Sequence, residues 1–174
     1  EFNRMAEVLQ ERMETLRQAQ EEFRAIADHT FSWVSWLGPD GRARWINPSI
    51  ERISGYTVAE GMALKDFLGD LLHPDDAPLL AQIREKMRRG EAGDCGELRL
   101  ITKQGEVRWI RLSWQPIRSS DGQEMGIRTS IVDITTRVQV EQALRQSEAR
   151  FAAAAQVAKL GHWTWRPSDS TLRW

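Results

Sequence analysis

The 174-residue chain has one cysteine, Cys95, and three histidines, His29, His73 and His162. A lone thiol closes no intrachain disulfide, which excludes an extracellular disulfide framework and leads us to expect a reducing, cytoplasmic setting. The histidines are scattered, with no pair four apart and no companion cysteine or carboxylate cluster, so a dedicated metal site has little support. No run of about eighteen apolar residues occurs, and the N-terminus has neither a basic nor an apolar leader region; we expect no direct membrane contact. Charge of one sign is also lacking. Twenty-four basic against 25 acidic side chains give a net charge of −1, without the basic field that nucleic acid selects. There is no glycine-rich phosphate loop, no nucleophile elbow and no histidine in a kinase-type dimerisation helix, so we expect no turnover from this segment itself.

What is present fits one domain with helical extensions. From Met5 to Ile26, Met5, Leu9, Leu16, Ala19, Phe23 and Ile26 recur at steps of four and three, with Arg12 the one misfit. That is a heptad seam, and Glu7, Glu11, Glu14, Arg17 and Glu21 supply its solvated flank. A solitary amphipathic helix is the alternative. After Asp28-His29 the period becomes two: Phe31, Trp33 and Ser35 alternate with Ser32, Val34 and Trp36, and Gly38-Pro39-Asp40-Gly41 turns the chain toward Ala43 to Ile46. This predicts a hairpin. Asn47-Pro48 reads as a helix N-cap with proline at the first helical position, and Thr57 with Glu60 as a capping box.

His73-Pro74-Asp75-Asp76 opens a longer helix whose Leu79, Leu80, Ile83 and Met87 share one face, with Gly90 as its stop. Three strands follow, near 96–102, 106–117 and 125–134, joined through Lys103-Gln104-Gly105 and Ser119-Ser120-Asp121-Gly122. In the second of these, Ile110, Leu112 and Trp114 are assigned inward and Trp109, Arg111 and Ser113 outward. Helices set between a hairpin and a three-strand meander give an α+β antiparallel sheet with helices on one face. From Thr136 the period is helical again, with Val140, Leu144, Phe151 and Ala158 in step, until Gly161. Beyond it Trp165, Asp169, Arg173 and Trp174 repeat Trp36, Asp40, Arg44 and Trp45 at one constant offset, so we expect a second copy that begins and stops, with two merely similar hairpins as the alternative.

That element order, with Trp45-Ile46-Asn47-Pro48, Ser54-Gly55-Tyr56-Thr57, His73-Pro74-Asp75-Asp76, Lys103-Gln104-Gly105-Glu106-Val107-Arg108-Trp109 and Asp133-Ile134-Thr135, resembles the PAS domain with its PAC segment. The resemblance implies a five-stranded antiparallel sheet whose helices enclose a pocket, flanked by coiled-coil signalling helices that dimerise. It divides the chain into an N-terminal helix, 1–28, a PAS domain, 29–135, a linker helix, 136–160, and the truncated start of a second PAS domain, 161–174. It implies service in a sensor histidine kinase or diguanylate cyclase, with the output domain in the same chain and a second copy as partner. The alternatives are a ligand-free dimerisation spacer and a flavin-binding redox sensor.

The pocket that the resemblance implies has as candidate lining Ile53, Phe67, Leu80, Ile83, Met87, Leu98, Leu100, Ile110, Leu112 and Trp114. Asp133, Ile134 and Thr135 take the family's coupling position between sheet and output helix, where helix capping alone would use the same bonds. Met5, Leu9, Leu16, Phe23, Ile26, Val140, Leu144 and Phe151 are the candidate dimer seam. The ligand is a small molecule that these residues do not identify, and no cofactor is required. Haem-binding relatives hold the iron with a histidine on the long helix, and Asp75 to Arg89 contains none. Photoactive flavin relatives need a cysteine before that helix, whereas Met62 to Leu68 lacks one; FAD bound without an adduct stays open. Cys95 is expected to pack as a small apolar residue. Trp33, Trp36, Trp45, Trp109 and Trp114 all fall in the sheet, as core bulk or as a platform for a flat ligand.

Overall fold

A computed structural model of the chain describes residues 2–157, 164–166 and 171–173, with side chains for 5, 10–22 and 24–154. The chain divides into two compact units, Glu1–Ile134 and Thr135–Trp174. In the first, helix α1 (Phe2–Asp28) leads into β1 (Trp33–Leu37) and β2 (Ala43–Ile46). Three short helices follow, α2 (Ser49–Ser54), α3 (Val58–Ala63) and α4 (Ala77–Arg88), and then β3 (Gly93–Ile101), β4 (Val107–Arg118) and β5 (Glu124–Asp133). The strands form one antiparallel sheet in the order β2-β1-β5-β4-β3, so the first and last strands meet at its centre.

The two-residue period decides which face is covered. Trp33, Ser35 and Leu37 of β1, Leu98 and Leu100 of β3, Ile110, Leu112 and Trp114 of β4, and Thr129 and Ile131 of β5 are all buried. Arg111 is exposed, and Trp109 and Ser113 are half-buried, as the sequence assignment of faces required. Each apolar side chain fully buried here contributes about 1.5–3 kcal/mol. The helical segment covers this face with Ile50 and Ile53 of α2, Phe67 and Leu71 beyond α3, and Leu80, Ile83 and Met87 of α4. Thr57 and Glu60 form the expected capping box, each accepting the other's backbone N–H. The strand β3 starts three residues earlier than expected, at Gly93, because an irregularity between Cys95 and Leu98 lets the ladder continue past Gly96.

Asn47 departs from its expected role as a cap. Pro48 precedes α2 with no side-chain cap, and the fully buried Asn47 amide turns away from the helix. Its Oδ1 accepts the Val34 N–H at 2.9 Å, and its Nδ2 donates to the Ala27 and Ser32 carbonyls at 2.9 and 3.0 Å. The reason is local: the end of α1 and the start of β1 bring one amide and two carbonyls to this point, and a buried amide side chain satisfies all three. Ser49 adds a hydrogen bond to the Thr30 carbonyl at 2.6 Å.

In the second unit, α5 (Thr135–Val157) begins one residue before the expected Thr136, and β6 (Thr164–Arg166) pairs antiparallel with β7 (Thr171–Arg173). The rest of the repeated hairpin, Trp163, Asp169 and Trp174 included, and Ala158 lie outside the described residues.

Asn47→Ala leaves three part-buried backbone groups without their side-chain partner and should cost about 3 kcal/mol, read as a lower denaturant midpoint at unchanged slope. A loss below about 1 kcal/mol would mean that water replaces the amide.

Candidate functional site

All ten candidate pocket residues lie in one continuous core, each between 0 and 6% exposed. Trp33 and Phe67, from sheet and helical cover, meet edge to face with centroids 5.5 Å apart. The Trp114 indole N–H finds the Glu91 carbonyl at 2.9 Å. Three polar atoms on neighbouring residues of the sheet are different. Trp33 Nε1, Ser35 Oγ and Thr129 Oγ1 are buried without a hydrogen-bond partner. Ser35 stands directly opposite Thr129 in the β1–β5 register, and Trp33 is the next residue on the same face. One donor and two hydroxyls therefore form a polar patch in an apolar wall, at the centre of the sheet. No periodicity rule singles them out, since serine and threonine satisfy the strand pattern as small residues.

The five sheet tryptophans do not make one platform. Trp33 and Trp114 are buried on the inner face, whereas Trp36, Trp45 and Trp109 are half-buried on the other. Trp36 and Trp45 are cross-strand partners beside Ile26 and Ala27 of α1, around an outer groove of about 740 Å³. A second groove of about 540 Å³ opens at the sheet end over Leu37, Leu68 and Met87, three members of the core. Lys65, Arg84 and Arg88 line it together with Asp40, Asp66 and Glu124.

The long helix is pinned to the sheet by the pair of aspartates at its start. Pro74–Asp76 forms a 3-10 turn, and Asp76 accepts from the Arg99 backbone N–H at 2.7 Å and from its guanidinium at 2.6 and 3.2 Å. Hydrogen bonding from Arg99 holds the Asp76 carboxyl below its ordinary value. In the same row of the sheet, where Trp109 is the cross-strand partner of Arg99, Asp133 pairs with Arg108 at 3.4 Å, and the Ile134 N–H donates to the Trp109 carbonyl at 2.8 Å. Thr135 is the first residue of α5. Sequence reading named Asp133, Ile134 and Thr135 but not Arg108, although it lies within the Gly105 to Trp109 motif.

Of the candidate seam, Met5, Leu16 and Ile26 on α1 are 66, 69 and 77% exposed, and Val140, Leu144 and Phe151 on α5 are 62, 58 and 69% exposed. The Leu9 and Phe23 side chains lie outside the described residues. Cys95 is half-buried, and burial pushes its thiol pKa up, away from a reactive thiolate. Among the described residues no group of three potential ligands could hold a metal ion, and no helix is long and apolar enough to cross a membrane.

The sequence profile of the PAS fold matches residues 43–131. The chain belongs to the PAS fold family. As a PAS domain it is a sensory module, not a catalytic one. The Sinorhizobium fredii uncharacterized protein y4lL is 32% identical over 132 residues, which is 75% of this chain; the chain spans only 16% of that relative's length. A sensory box histidine kinase/response regulator from Burkholderia thailandensis superposes with a TM-score of 0.56 at 28% identity, covering 75% of this chain and 98% of that one. An RNA-binding Light-Oxygen-Voltage receptor reaches 0.61 at 23% identity over 75% of this chain and 37% of its own, a likeness of fold alone.

Two outcomes test the site. Thr129→Val removes an unpartnered hydroxyl at constant shape and should stabilise the domain by about 1 kcal/mol, raising Tm by a few degrees; a loss would mean the hydroxyl has a partner. Because the folded Asp76 pKa is depressed, its contribution is present above the ordinary carboxylate value of about 3.9 and is lost as pH falls through the lower folded value. Asp76→Asn should therefore lower Tm at pH 7, and the gap to the parent protein should narrow as pH drops below about 4. A constant gap would assign the effect to packing.

Proposed function

We propose that this PAS domain is the signal-transducing module of a multidomain receptor, of the histidine kinase or diguanylate cyclase type, and works as a homodimer through α1 and α5. The observation that carries the sensing role is the buried patch of Trp33, Ser35 and Thr129. An unpartnered buried polar atom costs about 1–3 kcal/mol, so three neighbours on a central face are a standing cost to the closed state. A small polar ligand with a donor and an acceptor would relieve it. Such a ligand has to separate Phe67 from Trp33, which loosens the helical cover and moves β1 and β5. These strands connect directly to α1 and α5, so the signal reaches both helices. A decisive switch needs the ligand to prefer one state by about 10⁴-fold.

Self-association is supported by the exposed Met5, Leu16 and Ile26 on α1 and Val140, Leu144 and Phe151 on α5, because helices showing apolar rows to this degree gain from a partner. A second reading, a ligand-free spacer that passes strain from one helix to the other, is favoured by one observation. Trp33, Leu98, Ile110 and Leu112 are 0% exposed, so their own packing fills the core. The same packing speaks against a flavin, whose three rings would have to displace Trp33 or Phe67, and Met62 to Leu68 offers no cysteine for an adduct. A cytoplasmic setting accords with the single cysteine.

The deciding experiment is an absorption spectrum of the purified protein with mass spectrometry of whatever denaturation releases. The expected result is a small polar molecule without visible absorption, bound more weakly by Thr129→Val. Nothing released, and no thermal shift across a set of small polar acids and amides, would reject sensing in favour of the spacer. A yellow protein releasing FAD would reject the small polar ligand.

A further inference from the structure

The contacts that hold the roots of the two long helices converge on one short element. On the input side, Asn47 holds the Ala27 carbonyl at the end of α1, Ser49 holds the Thr30 carbonyl, and the Arg52 guanidinium donates to the Phe31 carbonyl. Arg52 also lies 5.5 Å from the centre of the Phe31 ring, a side chain 86% exposed to solvent. On the output side, the Arg108 guanidinium donates to the Arg52 carbonyl at 2.9 Å and reaches Asp133 at 3.4 Å. The Arg52 carbonyl lies in the last turn of α2, where helix geometry leaves carbonyls without partners and another group has to satisfy them. A single residue is thus bonded through its side chain to the root of the input helix and through its backbone to the arginine that holds the root of the output helix.

Between these contacts α2 is rigid. Ile50 is 0% and Ile53 1% exposed, sealed into the core, so a close-packed turn of this kind moves as a body rather than deforming. We propose that α2 couples the two signalling helices directly, with Arg52 as the positioning residue that joins Phe31 to Arg108 and Asp133. This route rests on the relay role proposed above and uses none of the three residues of the polar patch.

Spatial adjacency is not coupling, so the test must measure linkage. Hydrogen exchange on the full chain reads the input root at the Val34 amide, which donates to Asn47, and the output root at the Ile134 amide, which donates to Trp109. The Thr102 amide, bonded to the Glu106 carbonyl, reports general loosening and serves as the internal reference. Relative to it, Asp133→Asn should speed exchange at Val34 about fivefold, and Ser49→Ala should speed exchange at Ile134 by a similar factor, because linkage is reciprocal. In an Arg52→Gln background both remote effects should vanish while the local ones persist. Arg108→Gln, which cuts the second link and leaves Arg52 on Phe31, should abolish them equally and stands in if Arg52→Gln does not fold. Remote effects that are absent in the parent protein, or that survive both substitutions, would overturn the proposal. No ligand enters the measurement, so an empty pocket would end the sensing reading and leave the coupling intact, whereas lost reciprocity would end the coupling alone.

Discussion

The two-residue alternation along five strands buries one face of the sheet from edge to edge, and everything else in the domain answers to that. The face is apolar except at Ser35 and Thr129, so it must be covered, and the segment between β2 and β3 covers it. Two six-residue helices, a 3-10 turn and one twelve-residue helix make that cover. Helices this short are not stable by themselves. Their ends are therefore secured from outside: Thr57 and Glu60 cap one another, Asp76 reaches the Arg99 backbone, and the bridge between Leu72 and Leu100 stitches the loop to β3.

The polar groups in this interior fall into two kinds, and the contrast bears on function. Asn47 is fully buried and makes every bond its amide can usefully make there, so it adds rigidity. Trp33, Ser35 and Thr129 are equally buried and have none. A structural role explains the first kind. It does not explain the second, which lies on the central strand pair that leads directly to both long helices.

Much of the fold was legible in the chain. The switch of period from three and four to two and back located α1, the sheet and α5, and the turn residues placed the hairpins within a few positions. The inward assignment of Ile110, Leu112 and Trp114 followed from alternation alone, and the capping box at Thr57 from spacing. Asn47 was misread because the same Asn-Pro pair that caps a helix in sequence can, once buried beside another chain segment, bond across space instead. Arg52 carries no local signal at all. On a short helix an arginine reads as a solvated charge, and only the approach of Phe31 and Arg108 from distant parts of the chain gives it partners.

By itself the sequence determined the α+β class, the order of the elements and the faces of the strands, because these depend on periodicity and turn chemistry between near neighbours, while the likeness to the PAS family rested on its short motifs. Only the tertiary structure decided which polar groups are satisfied, which tryptophans share a face, and how the segment after α1 and the end of β5 are both tied to α2. Those outcomes depend on contacts between residues 20 to 56 positions apart, and no local pattern encodes which of them will meet.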